Sequence, residues 1–113
     1  MVLDISTIND TILITLVRRF DSDSAPAIEI ELKKIIVQCP ESVVFDFSRT
    51  EYIASAGLRV LLSTTRTLMK AGSKVALSSL SHQVRQVFEI AGFTKIFTIY
   101  GSRDEALQNL QKK

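Results

Sequence analysis

The chain has 113 residues and a net charge of +2, which suits one domain and gives no reason to expect a direct nucleic-acid partner. Its single cysteine, Cys39, cannot form an internal disulfide, and the chain lacks the Cys/His sets that hold structural zinc. No apolar run approaches the ~20 residues of a membrane-spanning helix, and no basic stretch leads into an apolar one at the N-terminus. We therefore predict a single cytoplasmic domain over residues 1–113, with no membrane insertion, no metal and no cofactor.

The first elements in chain order are predicted to form a β-hairpin. Residues 3–8 and 12–17 have the apolar content of strands. Between them, Asn9-Asp10 suits a tight turn, because asparagine tolerates the positive φ that such turns need. The second strand is apolar on both sides, which favours a position inside the sheet.

A first helix is predicted after the polar loop at residues 21–24, which supplies an N-cap. Pro26 suits the first helical turn, because the N–H that it lacks would be unpaired there in any case. Pro40 ends the helix. Its apolar stripe consists of Ile28, Leu32, Ile35 and Ile36.

The middle of the chain carries the most informative pattern. A buried strand at residues 43–48 is followed by a short loop and a helix whose first turn holds Ser55 among the small residues Ala54, Ala56 and Gly57. Backbone N–H groups and the positive end of the dipole face outward at a helix N-terminus. An uncovered hydroxyl there can accept a phosphoryl group, so Ser55 is a candidate switch, with a plain N-cap as the alternative interpretation.

The rest of the chain predicts two more strands and two more helices. Strands at 74–78 and 96–100 alternate with helices that begin after the capping residues Ser81 and Ser102. Strands separated by helices of this length imply right-handed βαβ crossovers. We therefore predict an α/β fold: a mostly parallel sheet of about five strands with an antiparallel N-terminal hairpin and four helices.

The helix after Ser55 is predicted to have one buried face and one basic face. The residues predicted to face the core are Leu58, Leu61, Leu62, Thr65, Leu68 and Met69. Arg59, Arg66 and Lys70 follow helical spacing on the other side. Residues 53–113 carry nine basic and three acidic side chains, whereas residues 1–52 carry five basic and nine acidic ones. This asymmetry indicates either an ordinary solvated face or a basic surface that meets an acidic partner.

Polar residues are predicted to gather around Ser55. The loops that leave the carboxyl ends of parallel strands meet at one edge of the sheet. We therefore expect Asp21, Ser22 and Asp46 to neighbour Ser55, with residues 78–81 close by. The two carboxylates either contact a partner or hydrogen-bond their own loops.

The sequence lacks the motifs of several enzyme classes. There is no Gly-x-Ser-x-Gly elbow for a serine hydrolase, and the one histidine follows a different strand. Neither Gly-x-Gly-x-x-Gly nor Gly-x-x-x-x-Gly-Lys-Ser/Thr occurs, and the first strand does not end in the acidic pair of a receiver domain. We predict a phosphoacceptor that is not itself an enzyme.

Several segments together resemble the STAS domain, and more narrowly the stand-alone bacterial anti-sigma-factor antagonists. These segments are Arg19-Phe20-Asp21-Ser22, Phe45-Asp46-Phe47-Ser48, Ile53-Ala54-Ser55-Ala56-Gly57-Leu58, and the helix at 81–91 with Gly92-Phe93. The resemblance spans nearly the whole chain and includes the order of the elements. It implies a STAS-like fold and a partner-switching role. The kinase that phosphorylates the serine at position 55 would also be the anti-sigma factor, and a serine phosphatase would reverse the modification.

The resemblance also implies a surface on which the kinase docks while Ser55 is unphosphorylated. The predicted partner-binding residues are Asp21, Ser22, Asp46, Ala54, Ala56, Gly57, Leu58 and Arg59. Two positions differ from the usual family pattern: Ala54 replaces an acidic residue and Arg18 replaces a glycine. The alternatives within this fold are an interaction subunit whose Ser55 is never phosphorylated, for example in a membrane transporter complex, or a module that binds a small ligand.

Overall fold

A computed structural model describes residues 2–111 of the chain. The strands are β1 (Asp4–Ile8), β2 (Thr11–Thr15), β3 (Arg19–Phe20), β4 (Ser42–Asp46), β5 (Tyr52–Ile53), β6 (Lys74–Ser78) and β7 (Ile99–Tyr100). The helices are α1 (Ala25–Val37), α2 (Ser55–Lys70), α3 (His82–Ile90) and α4 (Arg103–Gln111), with a 3₁₀ turn at Phe93–Lys95. The main sheet has the order β1-β2-β4-β6-β7, in which β1 and β2 are antiparallel and the other pairs are parallel. The predicted α/β fold with an N-terminal hairpin and four helices is confirmed.

The predicted turns and caps account for where several elements begin and end. Asn9 has a φ of 55° in the hairpin turn, and Gly92 has a φ of 77° after α3. The hydroxyl of Ser81 accepts a hydrogen bond from the N–H of Val84 at the start of α3. Ser102 accepts one in the same way at the start of α4. These local signals confirm the predicted starts of both helices.

Helices cover both faces of the main sheet. Leu13, Val44 and Ala76 lie side by side in register across β2, β4 and β6 and pack against buried residues of α4. Successive strand residues point to opposite faces. The neighbouring residue of each strand therefore belongs to the larger core formed with α1, α2 and α3. The strands of the sheet interior are apolar on both sides because both of their faces are buried.

A second, two-stranded sheet was not predicted from the sequence. β3 pairs in parallel with β5, so that Arg19 lies beside Tyr52 and Phe20 lies beside Ile53. Strands of two residues are too short to show an alternating pattern, so the sequence indicated only loops here. β3 leads toward α1 and β5 leads directly into α2, so this pairing places the segments that precede the two helices side by side.

The buried face of α2 is wider than predicted, and at the C-terminal end of the helix it lacks one residue that was predicted to be buried. Met69 was predicted to face the core, but its side chain is 56% exposed. Val60 and Thr64 are buried instead. The reason is that α1 packs along α2, which buries a second stripe beside the one that meets the sheet. No helix within residues 2–111 has both the length and the apolar character needed to cross a membrane.

The last strand is shorter than predicted. Residues 96–100 were expected to be extended, but only Ile99–Tyr100 pair with β6. Phe93 and Phe97 pack against Phe88 with ring centroids 6.3 and 5.8 Å away. This aromatic cluster favours a compact 3₁₀ turn before the strand, since an extended chain would separate the two rings.

Candidate functional site

Ser55 is the first residue of α2, and its side chain is exposed. The N-cap is Ala54, which has an extended backbone (φ −107°, ψ 175°) and whose side chain forms no capping hydrogen bond. The interpretation of Ser55 as a plain N-cap is therefore wrong. The first turn of α2 also lacks an acidic residue. Its N–H groups, which have no partner within the helix, and the positive end of the dipole therefore lie beside the exposed Ser55 residue.

Gly57 explains how the chain holds this helix start in place. A Cβ on Gly57 would lie 2.5 Å from the Phe20 carbonyl oxygen and 2.9 Å from its Cγ. That carbonyl oxygen accepts a hydrogen bond of 3.0 Å from the N–H of Ala54. β3 therefore rests directly on the first turn of α2, and only glycine leaves room for it.

Two of the predicted partner-binding residues are part of this interior. Gly57 is buried against Phe20, and Leu58 is 8% exposed and belongs to the main core. Their prediction as docking residues is corrected, because both are buried. They pack the first turn of α2 against the core and thereby hold Ser55 in position. Ala54 and Ala56, which flank the serine, are half-buried, and Arg59 is exposed one turn further on. These residues and Ser55 form the accessible part of the predicted segment.

Asp21 organises the loop that faces α2. Its Oδ1 accepts hydrogen bonds from the N–H groups of Ser24 (3.2 Å) and Asp23 (3.0 Å), and Arg19 lies 3.6 Å from its other oxygen. The hydrogen bond from the N–H of Ser24 is the main reason that the pKa of the Asp21 carboxyl is lowered below its ordinary value. The hydrogen bond from Asp23 and the nearby Arg19 guanidinium lower this pKa further. The Asx-turn interpretation thus describes the observed geometry, and the neighbouring Ser22 is exposed.

The structure divides the predicted polar cluster into two groups. Ser22 lines a groove between α1 and α2 together with Ala56 and Arg59, so the first loop does lie beside the start of α2. Asp46, by contrast, is 4% exposed and accepts hydrogen bonds from the N–H and hydroxyl of Ser48. It lines a different groove with Ser79 and the start of α4.

The placement of Asp46 beside Ser55 was therefore wrong. Asp46 points to the same face of the sheet as Val44, two residues earlier in β4, and α4 covers that face. α2 lies on the opposite face. The residues that share the surface of Ser55 are those from the first loop and from α2, and not the carboxylate at the end of β4.

The sequence did not point to Tyr52, which precedes Ser55 by three residues. Its side chain is 45% exposed, and the guanidinium carbon of Arg19 lies 4.8 Å from the centre of its ring. Tyrosine and arginine are enriched among the residues that contribute most to protein interfaces. An exposed tyrosine that stacks with a guanidinium is thus a suitable contact residue in the strand that leads into α2. The only sequence signal was the presence of these residue types near the motif.

Comparison with known proteins identifies the family. A model of the STAS domain matches residues 3–106 of the chain. The chain belongs to the STAS domain family. Among curated relatives, it is 40% identical to BtrV of Bordetella bronchiseptica, whose name places it among the anti-sigma factor antagonists. That match spans 86 residues, which is 76% of this chain and 74% of BtrV.

Solved structures show the same fold. An anti-sigma factor antagonist from Mycobacterium paratuberculosis superposes with a TM-score of 0.91 at 23% identity, covering 97% of this STAS domain and 93% of that chain. SpoIIAA in its unphosphorylated form gives a TM-score of 0.82 at 21% identity, with 96% of each chain covered. The phosphorylated form of Bacillus SpoIIAA gives 0.75 at 20% identity, covering 96% of this chain and 99% of that one. At these identities the likeness establishes the fold.

Proposed function

We propose that this STAS domain is an anti-sigma-factor antagonist in a partner-switching pathway. It binds an anti-sigma serine kinase through the surface around Ser55, and phosphorylation of Ser55 by that kinase releases it. The observation that carries the proposal is the exposed hydroxyl at the uncapped first position of α2. The name of BtrV supports the class of partner, and the phosphorylated form of SpoIIAA supports the modification.

The surroundings of Ser55 suit the transfer of a phosphoryl group. The γ-phosphoryl group of ATP bound to the kinase moves to Ser55 Oγ, ADP leaves, and the hydroxyl proton passes to a base of the kinase. The product dianion lies at the positive end of the α2 dipole beside N–H groups that have no partner within the helix. The phosphate is therefore stabilised where it forms, and the domain does not need to refold.

Release follows from the change of charge at a close contact. Half-buried Ala54 and Ala56 on either side let a partner approach the hydroxyl closely. A phosphate adds about −1.5 to −2 charges and a bulky group at that point. A partner surface shaped for a neutral hydroxyl then loses both steric and electrostatic complementarity. Each ~1.4 kcal/mol that is lost weakens binding about tenfold.

The roles of the other components follow from the same scheme. The STAS domain supplies a phosphoacceptor and a binding surface, while the kinase and a serine phosphatase carry out the catalysis. The antagonist, the anti-sigma factor and the sigma factor act together in the cytoplasm, where transcription takes place.

The first experiment tests whether Ser55 is the acceptor. The purified domain is incubated with ATP and an anti-sigma serine kinase from the same organism, and the modified residue is mapped by phosphopeptide mass spectrometry. We expect one phosphate on Ser55 and none on the Ser55→Ala variant. Ser63→Ala is the matched control, because Ser63 is also an exposed serine of α2. Phosphorylation elsewhere, or none with a kinase that binds the domain, would indicate a constitutive interaction module instead.

The second experiment tests release. Titration calorimetry compares the affinity of the kinase for the wild type, for Ser55→Asp and Ser55→Glu, and for the control Ser6→Asp, which adds the same charge on the exposed edge strand β1. We expect the two negative side chains at position 55 to weaken binding by tenfold or more (~1.4 kcal/mol). Equal affinity of the wild type and both variants at position 55 would contradict phosphorylation-dependent release.

A further inference from the structure

The exposed face of α2 continues beyond Arg59 as a groove with basic edges and an apolar floor. Residues that line it are Arg59, Leu62, Arg66, Met69, Lys70 and Ile96. We call it the α2 groove. From Arg59 to Lys70 it extends along three turns of helix, or about 16 Å at a rise of ~1.5 Å per residue.

The basic residues of the α2 groove lack the ion pairs that most other arginines of the domain form. Arg18, Arg19, Arg49 and Arg85 each lie within ion-pair distance of a carboxylate. Arg59, Arg66 and Lys70 form no ion pair with any residue in the range 2–111. All three are exposed. Three positive charges thus lie along one side of a helix without an ion-pair partner among residues 2–111.

The floor of the groove exposes large apolar side chains. Met69 is 56% exposed and Ile96 is 47% exposed, and Leu62 is half-buried between them and the core. Methionine at a binding surface adapts its shape to a partner because its side chain is unbranched and flexible. Exposed apolar side chains enclosed by charges are typical of an interaction surface.

The α2 groove is continuous with the surface around Ser55. Arg59 and Ser63 line both this groove and the groove between α1 and α2 that contains Ser22 and Ala56. A partner that covers Ser55 therefore reaches the α2 groove without crossing any other element. This continuity indicates that one partner occupies both surfaces.

We propose that the α2 groove binds an acidic amphipathic helix of the anti-sigma kinase. This inference rests on the proposed function. Carboxylates on the partner helix pair with Arg59, Arg66 and Lys70, while apolar residues spaced three and four apart enter the floor at Met69 and Ile96. The groove thus holds the kinase at a site remote from the phosphoacceptor and selects among kinases by charge.

The test uses charge reversal far from Ser55. Arg66→Glu/Lys70→Glu places two negative charges in the groove, both of them more than ten residues from the serine. Lys33→Glu/Lys34→Glu is the matched control, because it makes the same change on exposed residues of α1. Circular dichroism and thermal unfolding establish that both variants are folded. The affinity for the purified kinase is then measured by titration calorimetry at low and at high salt.

We expect the groove variant to bind at least tenfold more weakly than the wild type, and the control less than threefold. The groove variant should also lose most of the salt dependence of binding, since screening acts on the pairs that it removes. Photo-crosslinking from position 69 should label an acidic helical segment of the kinase.

Three results would overturn the inference and are distinguishable. Equal affinity of the groove and control variants, with binding still abolished by Ser55→Asp, would refute the α2 groove and leave the proposed function standing. Absence of kinase binding by the wild type would refute the proposed function itself. Self-association that depends on concentration and disappears in the groove variant, with kinase binding unchanged, would place a second copy of the chain in the groove.

Discussion

The backbone of Phe20 lies against Gly57 so closely that a Cβ on the glycine would come within 2.5 Å of the Phe20 carbonyl oxygen. The same oxygen accepts the N–H of Ala54, so it is held from two sides. One contact thereby joins the small β3–β5 sheet to the first turn of α2. The position of Ser55 depends on it, because Ser55 lies between Ala54 and Gly57 in the sequence.

Gly57→Ala should therefore destabilise the domain, by about 1–3 kcal/mol as for other overpacked sites. The obstructing atom is a backbone oxygen that cannot move without breaking its hydrogen bond. Gly101→Ala is the matched control, since a Cβ there meets nothing within 4 Å. Urea unfolding measures both variants, and equal stability of the two would show that β3 moves away at little cost.

Ser55→Asp should stabilise the isolated domain by about 0.3–1 kcal/mol, because a negative charge in the first turn interacts favourably with the helix dipole. Ser55→Asn has a similar shape without the charge and should give no such gain. The comparison uses thermal unfolding at low salt, and the difference should shrink at high salt. Destabilisation by Asp relative to Asn would contradict the claim that a phosphate is tolerated without refolding.

Lowering the pH should remove the stability that the Asp21 carboxylate gives to its loop. The lowered pKa of its carboxyl, relative to the ordinary 3.8, means that the carboxylate adds stability above about pH 4, which is lost as the pH falls through the folded value. Asp21→Asn should be less stable than the wild type at neutral pH, and the difference should narrow in acid. The Asp23→Asn control, whose carboxylate accepts none of these hydrogen bonds, should follow the wild-type curve. Parallel curves for all three proteins would contradict this role.

Most of the fold was predictable because its signals are local and repeated. The apolar runs at 43–48 and 74–78 predicted the strands observed as β4 and β6, and Asn9, Ser81 and Ser102 carry the expected turn and cap chemistry. Each of these features acts over a few residues, so the sequence alone displays it.

The site was less predictable because its geometry depends on contacts between distant segments. A glycine after the serine suits either a docking surface or a close backbone approach, and only the position of Phe20, 37 residues earlier, decides between them. Asp46 was misplaced because the sequence does not say which face of the sheet α4 covers. Tyr52 was missed because a two-residue strand has no period to reveal it.

Tyr52→Ala should weaken kinase binding if the Arg19–Tyr52 pair, which lies in the small sheet that leads into α2, is an anchor of the interface. Truncation of such anchors costs ~2 kcal/mol or more, which corresponds to about thirtyfold in affinity. Tyr52→Phe keeps the ring under the guanidinium and should bind within a few-fold of the wild type. Because Tyr52 is 45% exposed, both variants should unfold within a few degrees of the wild type. Titration calorimetry with the kinase measures the affinities, and an Ala variant that binds as tightly as the Phe variant would exclude Tyr52 from the interface.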